Sequence, residues 1–227
     1  TFADAETGAA YSYTISSDGG GSDVTGSGTI ASATDQITGL DLSGLGDGTL
    51  TLSVTLTDTA GNTGTAATDT IAKDTAAPSL AFDSPLADDD VVNAAEAASL
   101  TLSGTATSIE DGQSVTVTVT GSSSASASGS TTVASGAWSL SLDVSALADG
   151  SLDLTADSED AAGNTAAQAT ATLSKDTAAP AGYSATLDQD PVNAANEAAA
   201  SFTFADAETG AAYSYTISSD GGGSDVT

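Results

Sequence analysis

The chain has 227 residues, no Cys, no His, and 2 Lys plus Arg against 31 Asp plus Glu, for a net charge of −29. These numbers exclude a disulfide scaffold, a thiolate zinc site and histidine acid–base chemistry. They also argue against nucleic acid, which needs cations to neutralise phosphates, and against insertion into or binding at an anionic membrane. No apolar run approaches the length of a membrane helix, and no signal peptide opens the chain. Acidic, aromatic-poor chains are often disordered. Here, however, 39% of residues are hydrophobic and they alternate regularly with small polar ones, which predicts folding into strands.

Repetition organises the sequence. Residues 203–227 copy residues 1–25 without a change, an offset of 202. Within that period a stretch recurs after 102 residues. It runs from Asp58-Thr59-Ala60-Gly61-Asn62 to Lys73-Asp74-Thr75-Ala76-Ala77-Pro78, and again from Asp160-Ala161-Ala162-Gly163-Asn164 to Lys175-Asp176-Thr177-Ala178-Ala179-Pro180. The long period therefore holds two related units of about one hundred residues. Unit B is complete at 79–180. Unit A is split, with its C-terminal part at 1–78 and the N-terminal part of the next copy at 181–227. A period of this size is too long for a solenoid and fits tandem sandwich domains.

Along unit B, strands are expected at 79–82, 98–103, 114–120, 130–134, 138–144, 151–156 and 167–173. Each alternates small polar with apolar residues, as a sheet with one buried face requires. Thr and Val suit that surface. Turn signals separate the strands: Asp111-Gly112, Gly121 with its serines, Ser135-Gly136 and Asp149-Gly150. Only 93–97 allows a single helical turn. In unit A, Tyr11-Ser12-Tyr13-Thr14-Ile15 takes the place of the Val/Thr strand, and Leu50 to Leu56 follows Asp47-Gly48. The expected fold is all-β: tandem immunoglobulin-like, seven-stranded β-sandwich domains in a linear array. Trp138, Tyr11 and Tyr13 are expected in the cores. Lys73 and Lys175 precede linker aspartates, so a local ion pair of small value is expected there.

With aromatic-poor cores the units need a further stabiliser, and without Cys the candidate is a metal. Two acidic loops recur. In B the residues are Asp88, Asp89, Asp90, Asn93 and Glu96; in A they are Asp188, Asp190, Asn193 and Glu197. Carboxylates and amide carbonyls are the hard oxygen donors that Ca2+ takes, six to eight at a time. Sandwich topology places the loop between strands one and two at the outgoing pole, beside Asp176. It places the Asp160–Asn164 loop at the incoming pole, beside Asp74. Asp58 and Asn62 are the same positions in A. Three acidic elements should thus meet at each seam between units, two from one unit and one from its neighbour. Asp-rich loops are, on the bland reading, solvated turns. Gly19-Gly20-Gly21-Ser22-Asp23 lacks the tandem repetition of a calcium β-roll. No catalytic motif occurs, and an acid pair with so few aromatics does not make a glycosidase.

The combination Val92-Asn93-Ala94-Ala95-Glu96, Trp138-Ser139-Leu140, Leu147-Ala148-Asp149-Gly150, Asp160-Ala161-Ala162-Gly163-Asn164 and Asp176-Thr177-Ala178-Ala179-Pro180 resembles the bacterial immunoglobulin-like repeats of giant type I-secreted, RTX-type adhesins. The resemblance covers all of B and, allowing for the split, all of A. It implies a non-enzymatic, extracellular, cell-surface extender, rigidified by Ca2+ at seams, whose partners are neighbouring repeats of the same array. Gln189 and Pro191, and the missing Trp, set unit A apart. Two other readings stand beside it. One is an adhesive module recognising glycan or protein. The other is a self-assembling filament or sheath of like chains, in which 181–227 of one chain completes the unit split at 1–78 of another.

Overall fold

The computed structural model describes residues 5–227 and forms two compact units that divide after Lys175. The first unit carries twelve strands: β1 (Ala10–Ser17), β2 (Val24–Thr29), β3 (Gly48–Thr57), β4 (Ala67–Lys73), β5 (Ser79–Phe82), β6 (Val91–Val92), β7 (Leu100–Thr107), β8 (Ser114–Gly121), β9 (Ser126–Thr132), β10 (Ala137–Leu142), β11 (Gly150–Asp157) and β12 (Ala169–Lys175). The second carries β13 (Ser184–Leu187), a 3-10 turn at Glu197–Ala199 and β14 (Phe202–Ala205).

From Ser79 to Lys175 the chain builds a sandwich. One sheet has the order β10-β7-β5 and the other β6-β12-β11-β8-β9. All pairings are antiparallel except β6 with β12. The alternation seen in the sequence is what closes it. Val115, Val117 and Val119 of β8 are buried, as are Leu152, Leu154 and Ala156 of β11 and Leu100 and Leu102 of β7. The intervening Thr and Ser face outward, because successive side chains in a strand point to opposite faces. Trp138 fills the middle, meeting Phe82 edge-on at 5.3 Å. A Cβ on Gly104 would lie 2.5 Å from the Trp138 ring, so only glycine fits below it. The Trp138 Nε1 is buried without a hydrogen-bond partner.

All seven expected strands form in this region. The fourth sits earlier than expected, at 126–132 rather than 130–134. An eighth, β6, lies within the acidic loop, where two valines among aspartates gave no alternating pattern to read. Val92 is fully buried.

Residues 10–73 repeat half of this plan. Their sheet has the order β2-β1-β3-β4, matching β9-β8-β11-β12 strand for strand. Pairing registers equate Tyr11, Tyr13 and Ile15 with Val115, Val117 and Val119. Tyr11 and Tyr13 stack with their ring centres 6.4 Å apart. They lie over Gly28 and Gly26, where a Cβ would come within 2.7 Å and 2.5 Å of the Tyr11 and Tyr13 ring carbons. They are half-buried rather than core. The buried residues form two small clusters, Ala5, Ala9 and Ile30 in one and Ile15, Leu45 and Leu50 in the other. In the second unit, β13 and β14 form an antiparallel pair whose register equates Phe202 with Gly104 and Phe204 with Ala106. Asp206 and Ser108, one residue beyond each strand, share a left-handed backbone at φ 55° and 58°.

Candidate functional site: the two poles of the sandwich

At the incoming pole, the Asp160–Asn164 loop is held by its own first residue. The Asp160 Oδ1 accepts from the Ala162 and Asn164 N–H groups at 3.0 and 2.8 Å, and Oδ2 accepts from Asn164 Nδ2 at 2.9 Å. Asp160 is only 3% exposed. Burial raises its pKa, but the bonds from the Asn164 amide and main chain outweigh that and hold it below the ordinary carboxylate value. Gly163, at φ 90°, supplies the left-handed position that lets the loop double back. The same Asn164 Nδ2 donates to the Asp74 carbonyl at 3.3 Å, across 90 residues of sequence. The expected meeting of this loop with the incoming linker is therefore present.

Asp58 and Asn62 repeat the loop. Asp58 accepts from the Ala60 and Asn62 N–H groups and from Asn62 Nδ2. The Asn62 side chain and N–H lower its pKa. A second acidic residue, from outside each loop, also bonds to it and escaped the sequence reading. Glu110 Oε2 accepts from the Ala161 N–H at 2.8 Å, and Glu6 Oε1 accepts from Thr59 Oγ1 at 3.1 Å. The signal was there, as Glu-x-Gly in Glu6-Thr7-Gly8 and Glu110-Asp111-Gly112, but it reads as an ordinary turn.

At the outgoing pole, β6 pairs with the end of β12, and the Ser174 N–H donates to the Asp90 carbonyl at 3.1 Å. The acidic loop Asp88–Glu96 thus lies beside the strand end at Lys175. Its side chains serve the loop itself. Asp90 accepts from the Leu86 N–H and Asp89 from the Val91 N–H. Asn93 and Glu96 form a reciprocal cap: Asn93 Oδ1 accepts from Ala95 and Glu96, and Glu96 Oε2 accepts from the Asn93 N–H at 3.0 Å. Asp88 is exposed, with a left-handed backbone at φ 66°. The turn expected at 93–97 is this cap.

The second unit changes how the two acidic loops correspond. Asp188 accepts from Ser201 Oγ at 2.6 Å and Thr203 Oγ1 at 2.8 Å, and these bonds lower its pKa. Its counterpart by strand register is Asp83, which accepts from Ser103 Oγ at 2.6 Å. The spacing is 13 residues in one and 20 in the other, so Asp88–Asp90 occupy an added stretch with no equivalent at Asp188. Asn193 caps with Asn196, whose Oδ1 accepts the Asn193 N–H at 2.7 Å. Asn196 therefore stands where Glu96 does, and Glu197 is displaced by one residue. Asp190 is exposed, and Asp176 Oδ1 accepts from the Ala178 N–H at 3.0 Å. Asp74 does the same with Ala76 at 2.9 Å.

The two lysines do not pair with the linker aspartates that follow them. Lys175 Nζ donates to the Leu147 carbonyl at 2.7 Å and to Asp149 Oδ1 at 3.0 Å; Lys73 Nζ donates to the Leu45 carbonyl and Asp47 Oδ1, both at 2.9 Å. The Asp-Gly pairs read as turns are turns, with Gly48 and Gly150 at φ 138° and 128°, and their aspartates also receive the last strand. The Lys73 ammonium is the largest cause holding the Asp47 pKa down.

Among the described residues, no three acidic side chains stand together as a cation site. The donor chemistry suits Ca2+, since carboxylates, amides and carbonyls are hard oxygens. The Asp160 carboxylate and Asp74 carbonyl flank Asn164 at the incoming pole, fewer oxygens than the six to eight that Ca2+ takes. A groove of about 830 Å³ runs between β5 and β12, lined by Leu80, Phe82, Leu86, Ala169, Ala171 and Leu173.

Residues 70–177 match the family model of the bacterial Ig-like domain, and the chain belongs to that family. Domains of this family are structural and non-enzymatic. No curated protein matches the chain. Among solved structures it is similar to a tetra-tandem repeat in the extending region of a large adhesion protein, with 28% identity, 82% of this chain and 46% of that one covered, and a TM-score of 0.43. It is also similar to a Ca2+-stabilized, ice-binding adhesin of an Antarctic bacterium, with 30% identity, 82% and 45% covered, and a TM-score of 0.40. An immunoglobulin-like domain of the M. primoryensis ice-binding adhesin is 36% identical, with 44% and 98% covered and a TM-score of 0.32. The chain spans about half the length of the first two structures.

Proposed function

We propose that this chain is a stretch of an extracellular, cell-surface stalk that holds an adhesive region away from a bacterium. In this reading 79–180 is one complete repeat, and 1–78 and 181–227 are parts of a second repeat type. The observation that carries it is the bond from Asn164 to the Asp74 carbonyl. It ties a loop of one sandwich to the linker entering it, and the loop recurs at Asp58–Asn62. If the recurring loop at Asp58–Asn62 holds its own incoming linker in the same way, the array is stiffer than freely jointed beads, whose relative motion is the default. The sequence likeness to repeats from large adhesins, one described as Ca2+-stabilized, agrees with it.

Calcium would be held at the seams by Asp74, Asp160 and Asn164 of one repeat and the acidic loop of the repeat before it. At the next seam Asp176 and the Asp88, Asp89, Asp90 and Glu96 carboxylates would contribute. The metal would screen like charges that otherwise push the joint apart. Small-angle scattering and calorimetry with Ca2+ or a chelator test this on a chain of two intact repeats. Chelation should lower the melting temperature and shorten the maximum dimension. Identical curves in both conditions would sink the calcium seam.

A further inference from the structure

The last strand of the 79–175 sandwich has one edge that its own domain leaves open. On one side β12 pairs with β11 along its whole length. On the other it is paired only at its ends. β6 takes Ser174 and Lys175, and Ser79 bridges to Ala167 just before the strand begins. Between those points the chain turns away and pairs with β7 through Ser79–Phe82. The Ser174 N–H donates outward, to the Asp90 carbonyl at 3.1 Å. Main-chain groups alternate in direction along an antiparallel strand, so the N–H and C=O groups of Thr170 and Thr172 point outward too. Among the described residues nothing pairs with them. An open edge of this kind is a template for a further strand.

The groove of about 830 Å³ between β5 and β12 lies along this edge. Its walls are apolar at Phe82 and Leu86 on one side and at Ala171 and Leu173 on the other. Asp83 and Asp90 also line it, and no cation does. These two carboxylates bond to a neutral hydroxyl and a neutral amide, from Ser103 and Leu86, so their charge is not compensated. A second copy of this chain suits the groove poorly. It carries a net charge of −29, and its two basic residues, Lys73 and Lys175, are held by Asp47 and Asp149. Like charges brought together oppose docking. The groove therefore favours a cationic occupant. It also limits the length, because Ser79 and Val91 close its two ends and the open stretch from Ala169 to Leu173 spans about 17 Å.

We propose that this groove binds a short extended segment of a cationic partner protein, apolar residues alternating with Lys or Arg, by strand addition to β12. The main chain of the segment pairs with Thr170 and Thr172. Its apolar side chains pack on Phe82, Ala171 and Leu173, and its basic side chains meet Asp83 and Asp90. The main-chain bonds supply affinity, and the positions of alternate side chains supply selectivity. The site lies within one sandwich and uses neither calcium nor a neighbouring repeat, so it is independent of the stalk reading.

A dye-labelled peptide, Arg-Val-Thr-Val-Arg with blocked ends, tests this on the 227-residue chain in about 0.15 M NaCl, where long-range attraction is screened. Fluorescence anisotropy should show saturable binding. In NMR exchange measurements the Thr170 and Thr172 amides should become protected when the peptide is added. Thr172→Pro removes an N–H that no ladder bond uses, a place where an edge strand accepts proline. It should weaken binding about tenfold, the worth of one hydrogen bond, while Trp138 fluorescence stays that of the folded sandwich. Asp83→Asn with Asp90→Asn should weaken binding and flatten its salt dependence. Should Thr172→Pro lose its fold, amide protection in the parent chain decides alone. Absence of binding overturns the proposal. So does a peptide that binds folded Thr172→Pro as tightly as the parent, or that binds without protecting the two amides, since either marks attraction to general acidity. Protection that rises with protein concentration and no peptide would make a second copy the occupant, and overturns it equally.

Discussion

At the residue scale, the two lysines show how one contact is worth different amounts in two settings. Lys175 is 3% exposed at its side chain and Lys73 is 16% exposed. Both donate to a main-chain carbonyl and an aspartate. Removing a buried partner leaves a desolvated carbonyl unpaired, whereas a more exposed one is rehydrated. Lys175→Met should therefore cost about 1–3 kcal/mol in denaturant unfolding, and Lys73→Met less. Equal losses would show that burial is not the reason. Trp138 gives a second test. Its ring is packed, but its buried N–H is unbonded. Trp138→Ala should cost about 3–5 kcal/mol. Trp138→Phe should cost far less than Trp138→Ala, because it removes the orphan donor along with part of the ring.

At the scale of the element, the Asx loops link fold to pH. Asp58 and Asp160 both have folded pKa values below the ordinary one. Such a carboxylate stabilises fully above its unfolded value of about 3.9 and loses that contribution as pH falls through the lower folded value. Asp160→Asn should remove the acid-side dependence that this group contributes. The difference in melting temperature between variant and parent should be constant above about pH 5 and shrink below pH 4. A difference that is flat down to pH 2 would show that Asp160 is not responsible. The loops also show what was legible in sequence. Strand positions could be read because Val115-Thr116-Val117 and Leu152-Asp153-Leu154 alternate over enough residues to define a face. The meeting of Asn164 with Asp74 could be read from sandwich topology. Three features could not. Lys175 reaches Asp149, 26 residues away, and no local pattern encodes that pairing. Glu110 is hidden in an unremarkable turn. Asp188 looked like Asp88 by spacing from Asn193, but strand register equates it with Asp83, because the loop between is longer in one copy than in the other.

For the whole molecule, a net charge of −29 is the dominant unfavourable term that solvent can change. The Debye length is about 30 Å at 0.01 M salt and about 8 Å at 0.15 M. Repulsion across a sandwich is therefore largely unscreened in the first case and screened in the second. The melting temperature of the chain should rise by several degrees when NaCl is raised from 0.01 to 0.15 M, with no divalent cation present. A constant melting temperature would mean that the carboxylates are too well separated to matter. Packing gives a second contrast at this scale. Leu154 and Leu52 occupy equivalent positions, one fully buried and the other partly so. Leu154→Ala should cost about 2–5 kcal/mol, and Leu52→Ala distinctly less.

The parallel pairing of β6 with β12 has a mechanical consequence. Val91 and Val92 lie alongside Ser174 and Lys175, and a parallel bridge also joins Ser79 to Ala167. The first strands of the sandwich and its last strand therefore run side by side in the same direction. Tension drawn through the two ends of such a repeat slides these segments past one another. Their hydrogen bonds are strained together, not peeled one at a time, so rupture needs a larger force. Pulling single molecules should give a sawtooth in which the 79–175 sandwich breaks at high force. Val92→Pro, which removes the β6 N–H and distorts the pair, should lower that force more than it lowers the melting temperature.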